Sequence, residues 1–354
     1  MKKIPQPTPA QQQFIDCTDR SILLHACVGT GKTYALALRT VKAIERGINP
    51  ERILCVTFTN RAAEEMRQRI SLYSPEHSRK VVTRTFHGLC AWILRLEART
   101  LGIPQDFVIM DEDDSQEIIG QLKLGDLHYG LAPRDVYNAL QAFKTDNRVI
   151  RIEDKPPLNR ELLVKMERLY QQELAGLRGL DFGDLIKITH KALAPGGALA
   201  AKWRHRFDLI QVDEMQDTHI KEYEIIAALA KKSQNLVLAG DFDQTIYEWR
   251  GSTPDVVIYR FKRDFPNYED MTFLENHRSA RVLIEAARSV VASYSEELPK
   301  PAAAAPAGGT ITAQGAADEY HEALWVAERV KQLNKQGIPY SRIGVLCRTN
   351  NRAG

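Results

Sequence analysis

Along the first part of the chain short apolar runs alternate with amphipathic stretches: Ser21 to Ala26, a Gly-rich turn, Thr33 to Arg46, then Arg52 to Phe58 and Ala62 to Leu72. That order of strand, turn, helix, strand, helix predicts a parallel sheet covered by helices. From about Trp92 to Leu180 the pattern turns helical and strongly charged, with Asp111 to Asp114 marking a helix start and Pro156-Pro157 a break. Strand-like runs return at Phe207 to Val212 and Leu236 to Ala239 and lead into acidic residues. This is expected where a site lies at the carboxyl edge of a parallel sheet. Leu298 to Gly309, rich in Ala and Pro, reads as a loop or linker. Beyond it the pattern predicts a strand (Thr310 to Ala313), an amphipathic helix (Asp318 to Gln336) and a second strand (Ile343 to Cys347).

Composition adds limits rather than chemistry. With 354 residues, 44% of them hydrophobic, the chain can bury more than one core. No run reaches the ~18 apolar residues that read as a bilayer-spanning segment, and Met1 to Ala10 lacks the apolar centre of a signal peptide, so the expected location is the cytoplasm. Five cysteines without a CxxC pair suggest neither a zinc site nor a disulfide scaffold. A net charge of +3 is too small to argue for nucleic-acid binding.

The chemistry is in the motifs. Ala26-Cys27-Val28-Gly29-Thr30-Gly31-Lys32-Thr33 follows an apolar strand and opens a helix, the context of a phosphate-binding Walker A loop. Its backbone N–H groups suit phosphates, Lys32 can reach the β and γ phosphates, and the Thr33 hydroxyl can hold Mg²⁺. Asp213-Glu214 ends the apolar run Leu209 to Val212. One carboxylate there suits the Mg²⁺ shell and the other an attacking water.

Around that pair stand Met215-Gln216-Asp217-Thr218 and Gly240-Asp241-Phe242-Asp243-Gln244-Thr245-Ile246-Tyr247-Glu248-Trp249-Arg250-Gly251. With Thr8-Pro9-Ala10-Gln11, Thr57 to Ala63, Thr85-Phe86-His87, Leu180-Asp181-Phe182, Asn276-His277-Arg278-Ser279 and Val345 to Asn350, in this order, the chain resembles the UvrD/Rep group of superfamily 1 helicases. The resemblance covers nearly the whole length. It implies a RecA-like P-loop sheet in two parts (1–91 and 181–275), a helical insertion (92–180) and the start of a second RecA-like lobe (276–354).

It also implies roles. ATP and Mg²⁺ would be the cofactors, held by Gln11 at the adenine edge, by 26–33, and by Tyr34 and His277 as a flat clamp on the base. Thr33 and Asp213 would hold the metal. Lys32, Asp213, Glu214, Gln244 and Arg278 would serve catalysis, the last two reading the γ-phosphate. Phe58, Asn60, His87, Tyr247, Trp249 and Arg250 would contact DNA, the aromatics by stacking on bases. The partner would be single-stranded DNA, or a duplex with a 3′ single-stranded tail, and the activity an ATP-dependent 3′ to 5′ helicase.

His277 stands where the family usually has Tyr, Tyr34 where Arg is common, and Met215 where Tyr is common. The later motor blocks of the family, including its arginine finger, do not occur within these residues. The expectation is therefore a chain that binds ATP and Mg²⁺ but hydrolyses slowly. Two alternatives fit the same motifs: a short nucleotide-responsive DNA-binding regulator, and the ATPase subunit of a helicase-nuclease or defence complex.

Overall fold

The apolar runs that are buried on both faces become neighbours in one sheet. The computed structural model describes residues 6–122, 130–152, 158–241, 244–245, 252–293, 300–301 and 308–347. In chain order the strands are β1 (Ile22–Ala26), β2 (Ile53–Thr57), β3 (Val82–Thr85), β4 (Val108–Met110), β5 (Gly179–Asp181), β6 (Leu209–Val212), β7 (Leu236–Gly240), β8 (Glu269–Phe273), β9 (Glu275–Asn276) and β10 (Lys300–Pro301). The main sheet runs β3-β2-β6-β7-β1-β8 with every pairing parallel. This is the expected α/β architecture. β2, β6 and β7 are buried at every position, as required of central strands covered on both faces, whereas edge strand β8 alternates.

The period-2 alternation of the strands divides their side chains between two cores. Leu23, Leu54, Val56, Ile210, Val212 and Leu238 face the helices Phe86–Leu96, Phe182–Leu193, Ile220–Ala230 and Pro254–Asp264. Ile22, Leu24, Ile53, Cys55, Leu209 and Val237 face Pro9–Asp16, Lys32–Glu45 and Asn60–Tyr73. Burying each such aliphatic side chain stabilises the fold by about 1.5–3 kcal/mol before chain entropy is subtracted.

Part of the span expected as a helical insertion has a core of its own. It is formed by the helices Glu112–Gln121, Pro133–Asp146 and Arg160–Gly176, through residues from Met110 to Leu174 such as Ile119, Leu140, Leu163 and Tyr170. The short parallel pair β4 and β5 brackets it. Asp111 does start a helix, as its N-cap, whereas the Pro156-Pro157 break lies outside the described residues. Ile93, Leu94 and Phe107, within the expected insertion span 92–180, pack into the sheet's core instead.

A buried charge cluster ties the helices Pro133–Asp146 and Arg160–Gly176 to the start of the helix Phe182–Leu193, which packs on the main sheet. Lys144 Nζ lies 2.6 Å from Asp181 Oδ2 and 3.1 Å from Asp184 Oδ1, and sits 4.8 Å from the centre of the Tyr170 ring. Gln141 donates to Asp181 at 2.8 Å, and Gln171 donates to Asp184 at 2.9 Å. Asp181 also caps the helix Phe182–Leu193 by accepting from Asp184 N at 2.8 Å. One ammonium thus faces two carboxylates. Burial and the Asp181 charge push the Asp184 carboxyl up to about 6.

The chain divides into two compact units, Met1–Pro306 and Ala307–Gly354. The division falls in the Ala- and Pro-rich stretch. The segment expected to open a second lobe at 276, with β9, β10 and the helix Arg281–Val291, belongs to the first unit. In the second unit the helix Glu319–Lys335 forms as expected, capped by Asp318, which accepts from His321 N at 2.8 Å. The strands expected at Thr310 to Ala313 and Ile343 to Cys347 are not formed: neither segment joins a sheet among the described residues, and an extended segment becomes a strand only beside a neighbour. Among the described residues no helix is long and apolar enough to cross a membrane.

Candidate nucleotide and nucleic-acid site

At the carboxyl edge of the sheet β1 gives way to the Gly-rich loop. Gly29 and Gly31 hold φ of +74° and +78°, a region that costs any residue with a Cβ, so the tight loop depends on glycine at both positions. The helix Lys32–Glu45 then starts with Gly31 as N-cap and no side-chain cap. The helices Asn60–Tyr73, Phe86–Leu96 and Phe182–Leu193, by contrast, are capped by the side chains of Thr59, Thr85 and Asp181. First-turn N–H groups without a side-chain cap suit an anion.

Parallel pairing of β1 with β7, and of β7 with β6, brings Asp213 and Glu214 to the same edge. Lys32 Nζ lies 2.6 Å from Glu214 Oε2 and 3.4 Å from Asp213 Oδ1, and Thr33 Oγ1 donates to Asp213 Oδ2 at 3.0 Å. The charges shape one another. Burial pushes the Lys32 ammonium down, but the two carboxylates outweigh it and hold its pKa above the usual value. Burial, with the Glu214 charge beside it, pushes the Asp213 carboxyl up against the opposing pull of Lys32. For Glu214 the Lys32 charge and hydrogen bonds overcome burial and hold the carboxyl below its usual range. Glu214 adopts the left-handed conformation, φ 57° and ψ 45°, a local cost of about 1–2 kcal/mol. The Glu214 N–H donating to Asp213 Oδ1 at 3.0 Å and the Lys32 pair offset that cost.

Thr33 and Asp213 offer a hard hydroxyl and a carboxylate oxygen within 3.0 Å of each other. That donor set fits Mg²⁺, which is commonly held by one or two protein oxygens plus phosphates and water.

The adenine-edge candidates lie beside the same loop. Gln11 is buried: its Nε2 donates to Thr30 O at 2.8 Å and its Oε1 accepts from Thr8 N at 2.9 Å. Each amide group retains capacity for a second partner. Tyr34 packs edge-on against Tyr73, with ring centres 6.5 Å apart, and desolvation pushes its phenol up to about 12. His277 is exposed and its backbone N–H donates to Gly29 O at 2.9 Å. Arg278 is also exposed, and its charge contributes to holding Glu214 low. Met215 is fully buried, so its place in the acidic motif is one of packing.

The strand-contacting candidates divide. Phe58 follows β2, Asn60 opens the helix Asn60–Tyr73, and His87 lies in the first turn of Phe86–Leu96, its ring 4.9 Å from that of Phe182. All three stand at the β2 and β3 end of the carboxyl edge. β6 and β7 separate the end of β2 from the Gly-rich loop, a span of about 14 Å at ordinary strand spacing, and His87, after β3, stands one strand further away. Gln244 is exposed and donates to Asp241. Tyr247, Trp249 and Arg250 lie outside the described residues, as do the last three residues of the Val345 to Asn350 block.

Two residues of the recognised blocks acquire a role only from the geometry. Gln216 Nε2 donates to Glu214 Oε2 at 2.9 Å, and its Oε1 accepts from Asp241 N at 3.1 Å, linking the β6 and β7 ends. Asn276, almost fully buried, donates through Nδ2 to Val28 O at 2.7 Å. A polar amide inside a functional block is the signal in both cases. Which atoms it bridges cannot be read from spacing.

Comparison with known proteins gives a consistent result. The family model for the UvrD/REP helicase N-terminal domain matches residues 7–266, and that for the UvrD-like helicase C-terminal domain matches 271–354. Among curated relatives, an ATP-dependent DNA helicase PcrA of Leuconostoc citreum is 33% identical over 350 residues, covering 96% of this chain and 46% of the relative. PcrA proteins of Staphylococcus epidermidis and Staphylococcus aureus are 31% and 30% identical over 346 residues, covering 96% of this chain and 47% of each relative. The chain therefore spans about half the length of the curated relatives it matches. Phosphate loop, acidic pair and ordered edge motifs stand on the expected parallel sheet, and with both domain matches the chain belongs to the UvrD/Rep helicase family.

Proposed function

We propose that this chain supplies the ATP-binding part of an ATP-dependent DNA helicase or translocase that moves 3′ to 5′ along a single strand. The observation that carries the reading is the constellation of Lys32, Thr33, Asp213 and Glu214, closed by contacts of 2.6 to 3.4 Å at the uncapped start of a helix. ATP would lie with its phosphates on the N–H groups of 29–33. Lys32 would exchange Glu214 for the β and γ phosphates, and Thr33 and Asp213 would hold Mg²⁺, which supplies charge neutralisation to the phosphates. Glu214, released from Lys32, becomes the base for the attacking water: the water oxygen bonds to the γ-phosphorus, its proton passes toward Glu214, and the bond to the β–γ bridging oxygen breaks to leave ADP and phosphate. Gln244 and Arg278 would read the γ-phosphate, and Gln11, Tyr34 and His277 would hold the base.

Single-stranded DNA would run over Phe58, Asn60 and His87 and over Tyr247, Trp249 and Arg250. Stacking on aromatic rings is indifferent to base sequence, as a translocating motor requires. The domain division is proposed on the same basis: a sheet lobe in two parts, the insertion between them, and a second lobe begun after 275.

Titrations with labelled ATP and labelled single-stranded DNA test the reading. Lys32→Ala is expected to weaken nucleotide binding at least tenfold, and Trp249→Ala to weaken strand binding by about 1–3 kcal/mol with little change in nucleotide affinity. Equal loss of both functions in both variants would overturn the assignment of separate sites.

A further inference from the structure

Asn276 connects the phosphate loop to the segment that carries Arg278. The residue is 2% exposed, and its side chain makes three hydrogen bonds: Nδ2 donates to Val28 O at 2.7 Å, and Oδ1 accepts from the N–H groups of Arg278 and Ser279, each at 2.9 Å. The next residue continues the contact through its backbone, His277 N donating to Gly29 O at 2.9 Å. Two successive loop carbonyls are thus held by residues 276 and 277. Carbonyl oxygens engaged in this way are kept from facing a phosphate, which they would repel. A Cβ at Gly29 would come within 2.7 Å of the Asn276 amide, so loop and amide are in close contact.

The chemistry restricts the residue type. One end of one side chain must supply a donor to Val28 O and an acceptor with two lone pairs for Arg278 and Ser279, which an amide provides and a carboxylate or an aliphatic group does not. The amide joins the Val28 carbonyl directly to the turn from which Arg278 projects.

We propose that Asn276 is a positioning residue that couples the phosphate loop to Arg278, so that the state of the loop sets where the guanidinium stands. The proposal rests on the nucleotide reading above and adds to it a residue acting through Arg278.

The test uses the whole chain with Mg²⁺, a fluorescent ADP and a fluorescent non-hydrolysable ATP analogue, on wild type, Asn276→Ala, Arg278→Ala and the double variant. Hydrogen exchange of peptides covering 26–33 and 276–281 is measured without nucleotide. Asn276→Ala is expected to speed exchange in both peptides and to reduce the preference for the ATP analogue over ADP by about tenfold, the effect of removing a buried partner. Arg278→Ala should reduce the preference to a similar degree, and the double variant should show no further loss. Asn276→Asp keeps the acceptor and loses the donor, so it should retain protection at 278–279 while losing it at the loop. Additive losses in the double variant, or faster exchange in only one peptide of Asn276→Ala, would overturn the coupling while leaving the nucleotide reading intact. A wild-type chain that binds neither nucleotide would instead overturn the nucleotide reading and the coupling with it.

Discussion

Lys32 Nζ and Glu214 Oε2 stand 2.6 Å apart although 182 positions separate them in the chain. The carboxylates hold the ammonium above its usual pKa, and Lys32 in turn holds the Glu214 carboxyl below its usual range. Nucleotide binding on the proposed reading must exchange one partner for the other.

Glu214→Gln tests that exchange. The variant loses the ion pair that ATP has to displace and keeps Thr33, Asp213 and the loop. Labelled ATP is expected to bind as tightly as to wild type or several-fold more tightly, while phosphate release falls by about 10²–10⁴ where wild type turns over. Weaker binding in equilibrium titration would show that Glu214 supports the nucleotide directly.

Gly29→Ala is expected to lower nucleotide affinity by about tenfold or more. The positive φ is unfavourable to alanine by about 1–2 kcal/mol, and the added methyl would meet the Asn276 amide. A calorimetric titration giving wild-type affinity would mean that the loop adopts another conformation when occupied.

Lys144→Met leaves Asp181 and Asp184 buried and facing each other without a cation. Breaking a buried pair in this way costs about 3–5 kcal/mol. The loss should appear as a lower melting temperature and as faster hydrogen exchange in Pro133–Asp146 and Phe182–Leu193, the two helices that the cluster joins. Unchanged exchange there would remove the cluster from the account of how the insertion is held.

Acidification provides a signed test through Glu222. This carboxyl caps its own helix, accepting from His219 N at 2.9 Å, and burial pushes it up to about 7. A folded-state value above the unfolded one means that the protonated form is favoured by folding. Its stabilising contribution is complete below the unfolded value near 4.5 and is lost as pH rises through about 7. Glu222→Gln should therefore stabilise the protein at pH 8 relative to wild type, by up to about 3 kcal/mol, with the advantage shrinking toward pH 5. Asp184 acts in the same direction around 6, whereas Asp181 and Glu214, held low, lose their contribution on acidification. The difference between variant and wild type in denaturant melts isolates Glu222 from these.

The central strands and the Gly-rich turn into a helix were legible in the chain because their determinants are local. Buried central strands appear as continuous apolar runs, a strand entering glycines and Lys-Thr specifies loop and helix together, and Asp111 announces its helix by capping it. Edge strands β3 and β8 were not singled out: half-exposed, they interleave polar with apolar residues and carry little continuous apolar signal. The strands expected at Thr310 to Ala313 and Ile343 to Cys347 had the local pattern without the neighbour that makes a strand.

The sequence alone determined the α/β class, the position of the Gly-rich loop, the acidic pair and the order of the family's blocks, since each depends on residues within a few positions of one another. Only the tertiary structure decided that Gln216 bridges two strand ends, that Asn276 grips the phosphate loop, and that Lys144 lies between two aspartates. Those relations depend on strand order and helix packing, which juxtapose groups far apart along the chain. A polar side chain shows which bonds it can make, but its partner is fixed only when burial removes water as the alternative.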